Sequence, residues 1–90
     1  MNASAAPFNL VVIGASGRMG RSLIQQLPRF PAFRLHAAVV SPRSGLLGRD
    51  SGEVAGAPPT GVPVTGRLEV ALMGAALAVD FSAAAAATER

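Results

Sequence analysis

"LVVIGASGRMGRSL", residues 10–23, is the stretch on which the fold turns. An apolar run from Leu10 to Ile13 stops at Gly14, and two more glycines follow at three-residue spacing, Gly17 and Gly20. Apolar residues return at Leu23, Ile24 and Leu27, the stripe of one helical face. A continuous apolar run bounded by a turn marks a strand buried on both sides of a parallel sheet. The stretch therefore predicts strand, glycine turn and helix, in that order.

Each glycine has its own task. At the strand-to-helix junction Gly14 takes backbone angles that a Cβ would forbid. Gly17 leaves the main chain bare, so that a diphosphate can approach it. Gly20, in the first helical turn, lets the helix pack closely on the strand. The unpaired N–H groups of that turn and the positive end of the helix dipole then face the anion. Ala15, Ser16, Arg18 and Met19 complete the turn, with Ser16 where G-x-G-x-x-G sequences carry their middle glycine. Arg18 is placed to donate to the diphosphate or a ribose phosphate, and Met19 is expected to pack under the turn. The competing reading is a glycine-rich connection with no ligand, Arg18 then being a solvated residue at a helix start.

Working outward, Phe8 to Ile13 is the first strand, and the first helix runs from Arg18 to about Leu27, stopped by Pro28 and Pro31. "LHAAVV" (35–40) reads as a second strand. A Gly/Pro/Ser-rich loop follows from Ser41 to Thr60, with one helical turn around Asp50 to Val54. Asp50 and Glu53 are expected to cap that turn. "GVPV" (61–64) is a brief third strand whose proline puts it at an edge. "RLEVALM" (67–73) is a short helix closed by Gly74, and "LAVDF" (77–81) a fourth strand. Ser82 stands where an N-cap belongs, ahead of "AAAAATER". Alternating strands and helices give an α/β protein, the N-terminal half of a Rossmann-type doubly wound parallel sheet (β-α-β-loop-β-α-β), with strand order 3-2-1-4. Residues 1–7 are expected to be a flexible N-terminus and 8–90 a partial dinucleotide-binding domain, since a chain ending just inside a helix reads as truncated.

Composition narrows the function. Ninety residues allow one small domain. Half are hydrophobic, but 18 are alanine, and no apolar run reaches the roughly 20 residues that span a bilayer. The N-terminus lacks a basic segment and a continuous apolar one, so no secretory leader is expected. Without cysteine there is no disulfide and no thiolate nucleophile or ligand. A cytoplasmic protein is the expectation. All eight basic residues are arginine, scattered along the chain, and the four aromatics are phenylalanine, which argues against a nucleic-acid surface. The single histidine, His36, lies within the second strand and reads as structural.

"GASGRMGR" resembles the cofactor turn of the dihydrodipicolinate reductase (4-hydroxy-tetrahydrodipicolinate reductase) family, the Arg18-Met19 pair setting it apart from similar turns of other reductases. "LLGRDSGEVAG" (46–56), "TGVPVT" (60–65) and "VDFS" (79–82) resemble the family's next landmarks in order. Ala84 stands where that family usually has proline. The resemblance implies reduction of a cyclic, unsaturated dicarboxylate by a reduced nicotinamide, in diaminopimelate and lysine biosynthesis, by a homotetramer. It also implies that the catalytic histidine and lysine lie in a C-terminal domain beyond residue 90. No catalytic residue is then expected in this chain, which alone would be inactive. It further places Asp80, Phe81 and Ser82 along the nicotinamide end of the cofactor, against the alternative that Asp80 braces the turn and Ser82 caps a helix. Another NADP-dependent reductase or epimerase on the same half-fold, or a dinucleotide-sensing domain without catalysis, are the rival functions.

Cofactor choice is read at the end of the second strand. An acid there, about 20 residues past the glycine turn, holds the adenine ribose and repels a 2′-phosphate. No Asp or Glu occurs between Gly20 and Asp50, and the family's acid position falls on Val40. Ser41 and Arg43 follow instead, a hydroxyl and a guanidinium able to fork onto phosphate. NADPH is expected to be preferred, with NADH possible. A simply solvated Arg43 is the alternative.

Overall fold

The computed structural model describes residues 7–82. The flexible segment expected over 1–7 and the helix expected after Ser82 thus lie outside the described residues, Pro7 and Ser82 apart. The elements are β1 (Phe8–Ile13), α1 (Arg18–Gln26), β2 (Phe33–Val39), α2 (Ser51–Ala55), β3 (Val64–Thr65), α3 (Leu68–Leu72) and β4 (Leu77–Asp80). The four strands form one parallel sheet in the order β3-β2-β1-β4. This is the expected half of a doubly wound fold.

β1 is central, and its alternate residues feed two cores. Leu10 and Val12 face α1 and α2, packing with Ile24, Leu35, Ala38 and Ala55. Val11 faces α3 with Ala37, Val39 and Ala71. Burial on both sides explains why β1 is apolar without alternation.

The edges of several elements differ from expectation. β2 begins two residues early, at Phe33, because Phe8 pairs with Phe33 and the two rings meet at 6.0 Å. Arg34 Nη2 adds a bond to Asn9 Oδ1 across the same pair of strands. α1 ends at Gln26, and Leu27–Arg29 tightens into a 3₁₀ turn containing Pro28. β3 shrinks to two residues, for Pro63 has no N–H to offer a ladder and the Val62 N–H is taken by Thr60 Oγ1. α3 is trimmed by one residue at each end.

β2 also carries a bulge that the sequence does not announce. Leu10 is opposite Leu35, but Val11 is opposite Ala37, so His36 is the extra residue. Strict alternation would put Leu35 and Ala37 on one face. The bulge sends Leu35 and Ala38 to the α1 face and Ala37 and Val39 to the other. His36 meanwhile donates through Nε2–H to the Met73 carbonyl at 2.7 Å, tying β2 to the end of α3. Its structural reading holds.

Candidate functional site

The glycine turn lies at the carboxyl end of β1, between the ends of β2 and β4. Gly14 has φ +79°, the left-handed region open mainly to glycine. A Cβ there would also lie 2.8 Å from the Ser82 nitrogen and 2.9 Å from the Phe81 carbonyl carbon. Gly14 thus both reverses the chain and lets the end of β4 close against it. The N–H groups of Gly14 and Ala15 both donate to the Val39 carbonyl, at 2.9 and 3.0 Å. Ala15 is fully buried. These two residues anchor the turn to β2, an attachment made by a backbone carbonyl and hence without any sequence signal.

Gly20 is required by packing. A Cβ on it would collide with the Gly14 carbonyl oxygen and stand 2.7 Å from the Ala15 Cα. Gly17 is different: its φ of −77° and ψ of 172° are available to any residue. It is the N-cap of α1 and has no side chain to bond the first-turn N–H groups. Arg21 N–H is the first to reach a carbonyl of the helix, that of Gly17, at 3.0 Å. The N–H groups of Arg18, Met19 and Gly20 precede it in the unpaired first turn. No acidic side chain occupies that turn to compete for them. Ser16 is half-buried in the turn and Arg18 is exposed at its lip. Met19 is 53% exposed, which corrects the expectation that it packs underneath. The buried face of α1 belongs to Gly20 and Ile24, and Met19 precedes it on the solvent side.

The end of β4 forms the adjoining wall. Phe81 N–H donates to the Ile13 carbonyl at 2.8 Å, extending the pairing one residue past the strand. Asp80 Oδ1 accepts both the Ser82 N–H at 2.8 Å and the Ser82 hydroxyl proton at 2.6 Å. These bonds, the hydroxyl's first, hold the Asp80 carboxyl below the usual carboxylate range. Asp80 thus braces the junction, while the helix that Ser82 was expected to cap lies outside the described residues. The D-x-S spacing was the available signal.

At the end of β2, Ser41 and Arg43 are both exposed. Ser41 Oγ accepts the Arg43 N–H at 3.1 Å and its carbonyl accepts the Ser44 N–H at 2.9 Å, so the hydroxyl shapes its own turn. The turn is seated against the β3–α3 connection, where a Cβ on Gly66 would lie 2.6 Å from the Pro42 Cα. Arg43 thus follows the end of β2 in an exposed turn.

Asp50 stands apart from this crevice and caps α2 as expected. It accepts from Gly52, Glu53 and Thr60 through Oδ2, at 2.8, 3.2 and 3.0 Å, and from Gly61 through Oδ1 at 2.7 Å. These N–H groups, Thr60's foremost, hold its carboxyl below the usual range. Glu53 lies in the first turn of α2. Among the described residues no group of three or more His, Cys, Asp or Glu is placed to hold a metal ion. No helix among them is long and apolar enough to cross a membrane.

Comparison with known proteins agrees with this architecture. Residues 8–90 match the family described as "Dihydrodipicolinate reductase, N-terminus". The chain is 43% identical over 86 residues to the 4-hydroxy-tetrahydrodipicolinate reductase of Sinorhizobium fredii, covering 96% of the chain and 32% of that protein. It is 48% identical over 82 residues to the enzyme of that name from Rhizobium meliloti, covering 91% and 30%. Against that of Acinetobacter baumannii it is 46% identical over 86 residues, covering 96% and 31%. The chain thus spans about a third of the length of the curated relatives it matches. With the family model matched across residues 8–90, the chain belongs to the dihydrodipicolinate reductase family through its N-terminal part.

Proposed function

We propose that this chain is the cofactor-binding part of an NAD(P)H-dependent 4-hydroxy-tetrahydrodipicolinate reductase. One observation carries the proposal: an α1 N-terminus uncapped by any side chain, fronted by a bare Gly17 and free of acids, at the point where the strand order reverses between β1 and β4. That is where doubly wound sheets bind dinucleotides. The donors there fit a diphosphate, and the positive helix end favours its charge. Gly17, Arg18, Met19 and Gly20 would receive the diphosphate, with Ser16 at its edge. Gly14 and Ala15 would hold the turn's shape. Ser41 and Arg43 would meet the adenine ribose, and Asp80, Phe81 and Ser82 the opposite half.

When bound, the reduced nicotinamide supplies the hydride. The chain's own part is to hold and orient the dinucleotide, and residues 8–90 make up that partial domain. The groups that bind the cyclic dicarboxylate and move protons would lie in the C-terminal portion present in the longer relatives. The intact enzyme would be a cytoplasmic homotetramer of the diaminopimelate and lysine pathway.

NADPH is the favoured cofactor in this reading, because the end of β2 offers the Arg43 guanidinium and no carboxylate. A charge-assisted contact of that kind is worth about 10- to 100-fold in affinity. The test is an assay of the full-length gene product with 4-hydroxy-tetrahydrodipicolinate, following oxidation of NADPH and NADH separately. Turnover with a lower KM for NADPH, lost selectively in Arg43→Ala, supports the reading. Absence of turnover with either cofactor contradicts the activity, and equal KM values contradict the preference.

A further inference from the structure

The turn that carries Ser41 and Arg43 is the near foot of an arch, residues 41–47, whose far foot stands on the other side of β3. There the Gly48 N–H donates to the Val64 carbonyl at 2.9 Å, the Val64 N–H to the Arg49 carbonyl at 2.8 Å and the Ser51 N–H to the Val62 carbonyl at 2.9 Å. Asp50 meets Pro63 in an antiparallel bridge. Val64 pairs with Ala38 of β2 on its other side, so 48–51 runs along the outer edge of β3. The near foot rests on the same segment: the Val40 N–H donates to the Thr65 carbonyl at 2.9 Å, and Pro42 is seated on Gly66. Both feet thus stand on residues 62–66, which have little to hold them, since β3 is two residues long and Pro63 has no N–H to donate.

The approach to that segment is fixed by Asp50. Its carboxylate takes the Thr60 N–H on Oδ2 and the Gly61 N–H on Oδ1 while Oδ2 also caps α2. Beside it the buried Ser51 hydroxyl bonds Thr60 Oγ1, which in turn accepts the Val62 N–H at 3.2 Å. All of these groups lie among the described residues. We propose that Asp50 is a positioning residue for cofactor choice: by fastening 60–61 to the start of α2 it fixes the platform under the Ser41–Arg43 turn. It thereby sets how well that turn receives a ribose 2′-phosphate, without touching the ligand itself. A turn that has to be ordered when the ligand arrives loses affinity to that ordering. A loosened platform therefore weakens the 2′-phosphate contact and leaves the contacts of the glycine turn in place. The proposal rests on the reading of Arg43 given above.

Calorimetric titration of the full-length gene product with adenosine 2′,5′-bisphosphate and with 5′-AMP isolates the 2′-phosphate, and the ratio of the two affinities is the readout. Asp50→Asn, whose amide nitrogen cannot accept, and Thr60→Val, which keeps the shape and loses the hydroxyl, each lower that ratio about threefold or more. Circular dichroism at the titration temperature shows that the variants are folded. Ala71→Gly, which loosens the core on the opposite face of the sheet, lowers the melting temperature and leaves the ratio unchanged. An unchanged ratio in folded Asp50→Asn overturns the proposal, and should that variant not fold, Thr60→Val decides in the same way. An equal drop in Ala71→Gly also overturns it, since any loosening would then suffice. A wild type that does not discriminate, or one that still does so after Arg43→Ala, overturns the Arg43 reading and the proposal with it.

Discussion

Gly14, Gly17 and Gly20 occupy one turn for three unrelated reasons, and substitution separates them. Gly14 needs its positive φ, Gly20 needs the missing Cβ, and Gly17 has backbone angles open to any residue. Alanine at position 20 would be the better helix former by about 1 kcal/mol. The collision with the Gly14 carbonyl and the 2.7 Å approach to the Ala15 Cα outweigh that gain. Gly20→Ala should lower stability by about 1–3 kcal/mol, the usual cost of overpacking. Chemical denaturation of the full-length gene product measures it, and an increase in stability would contradict the close approach. The backbone tasks of Gly14 and Gly20 were legible in the sequence, because spacing after an apolar run encodes a backbone path. The exposure of Met19 was not, since an apolar side chain beside a turn carries no mark of which way it faces.

Among elements, the clearest dependence is that of α2 and the 57–61 loop on one carboxylate. Asp50 gathers four N–H groups from two segments eight residues apart, 52–53 and 60–61, and Ser51, fully buried, bonds Thr60 Oγ1 at 2.6 Å beside it. The folded carboxyl titrates below its unfolded value, so its contribution is fully present above about pH 4 and is lost as pH falls through the lower, folded pKa. Asp50→Asn should therefore melt at a lower temperature at pH 7 and show a shallower decline below pH 4. Asp80, lowered in the same sense, adds to that acid limb and remains in the variant. Thermal melts across pH 2–7 check this, and parallel curves for wild type and variant would contradict it. Asp50 was readable as a cap because a carboxylate before a short helix is a local device. The β2 bulge was not readable, since Leu35 and Ala37 differ in face only through their pairing with β1. Likewise the length of β3 depended on where the Val62 N–H went, a contact made nearby but not marked by residue type.

At the scale of the whole molecule, the described residues leave apolar surface exposed on and around the sheet. An apolar groove of about 240 Å³ runs between α1 and β4, lined by Leu10, Leu23, Leu27, Phe30, Leu77 and Val79. Phe8, Phe30, Val70, Met73 and Leu77 are each at least 45% exposed. A small sheet with this much uncovered apolar surface has little burial to set against chain entropy. The 90-residue chain produced alone should associate and melt broadly, as scanning calorimetry with sedimentation would show. A sharp, reversible transition of a monomer would contradict this. Strand order and the position of the crevice were legible from alternation of elements, because right-handed crossovers leave few topologies open.

Binding at the glycine turn is tested most directly by calorimetric titration of NADPH into the full-length gene product and its Gly17→Val variant. Gly17 has ordinary backbone angles, so valine imposes no backbone strain there, and a side chain at the N-cap is expected to crowd the unpaired α1 N–H groups. The predicted result is saturable binding by the wild type and loss of at least about 100-fold in affinity by a variant with an unchanged melting temperature. Equal affinity in a folded variant would contradict the assignment of the turn as the diphosphate site.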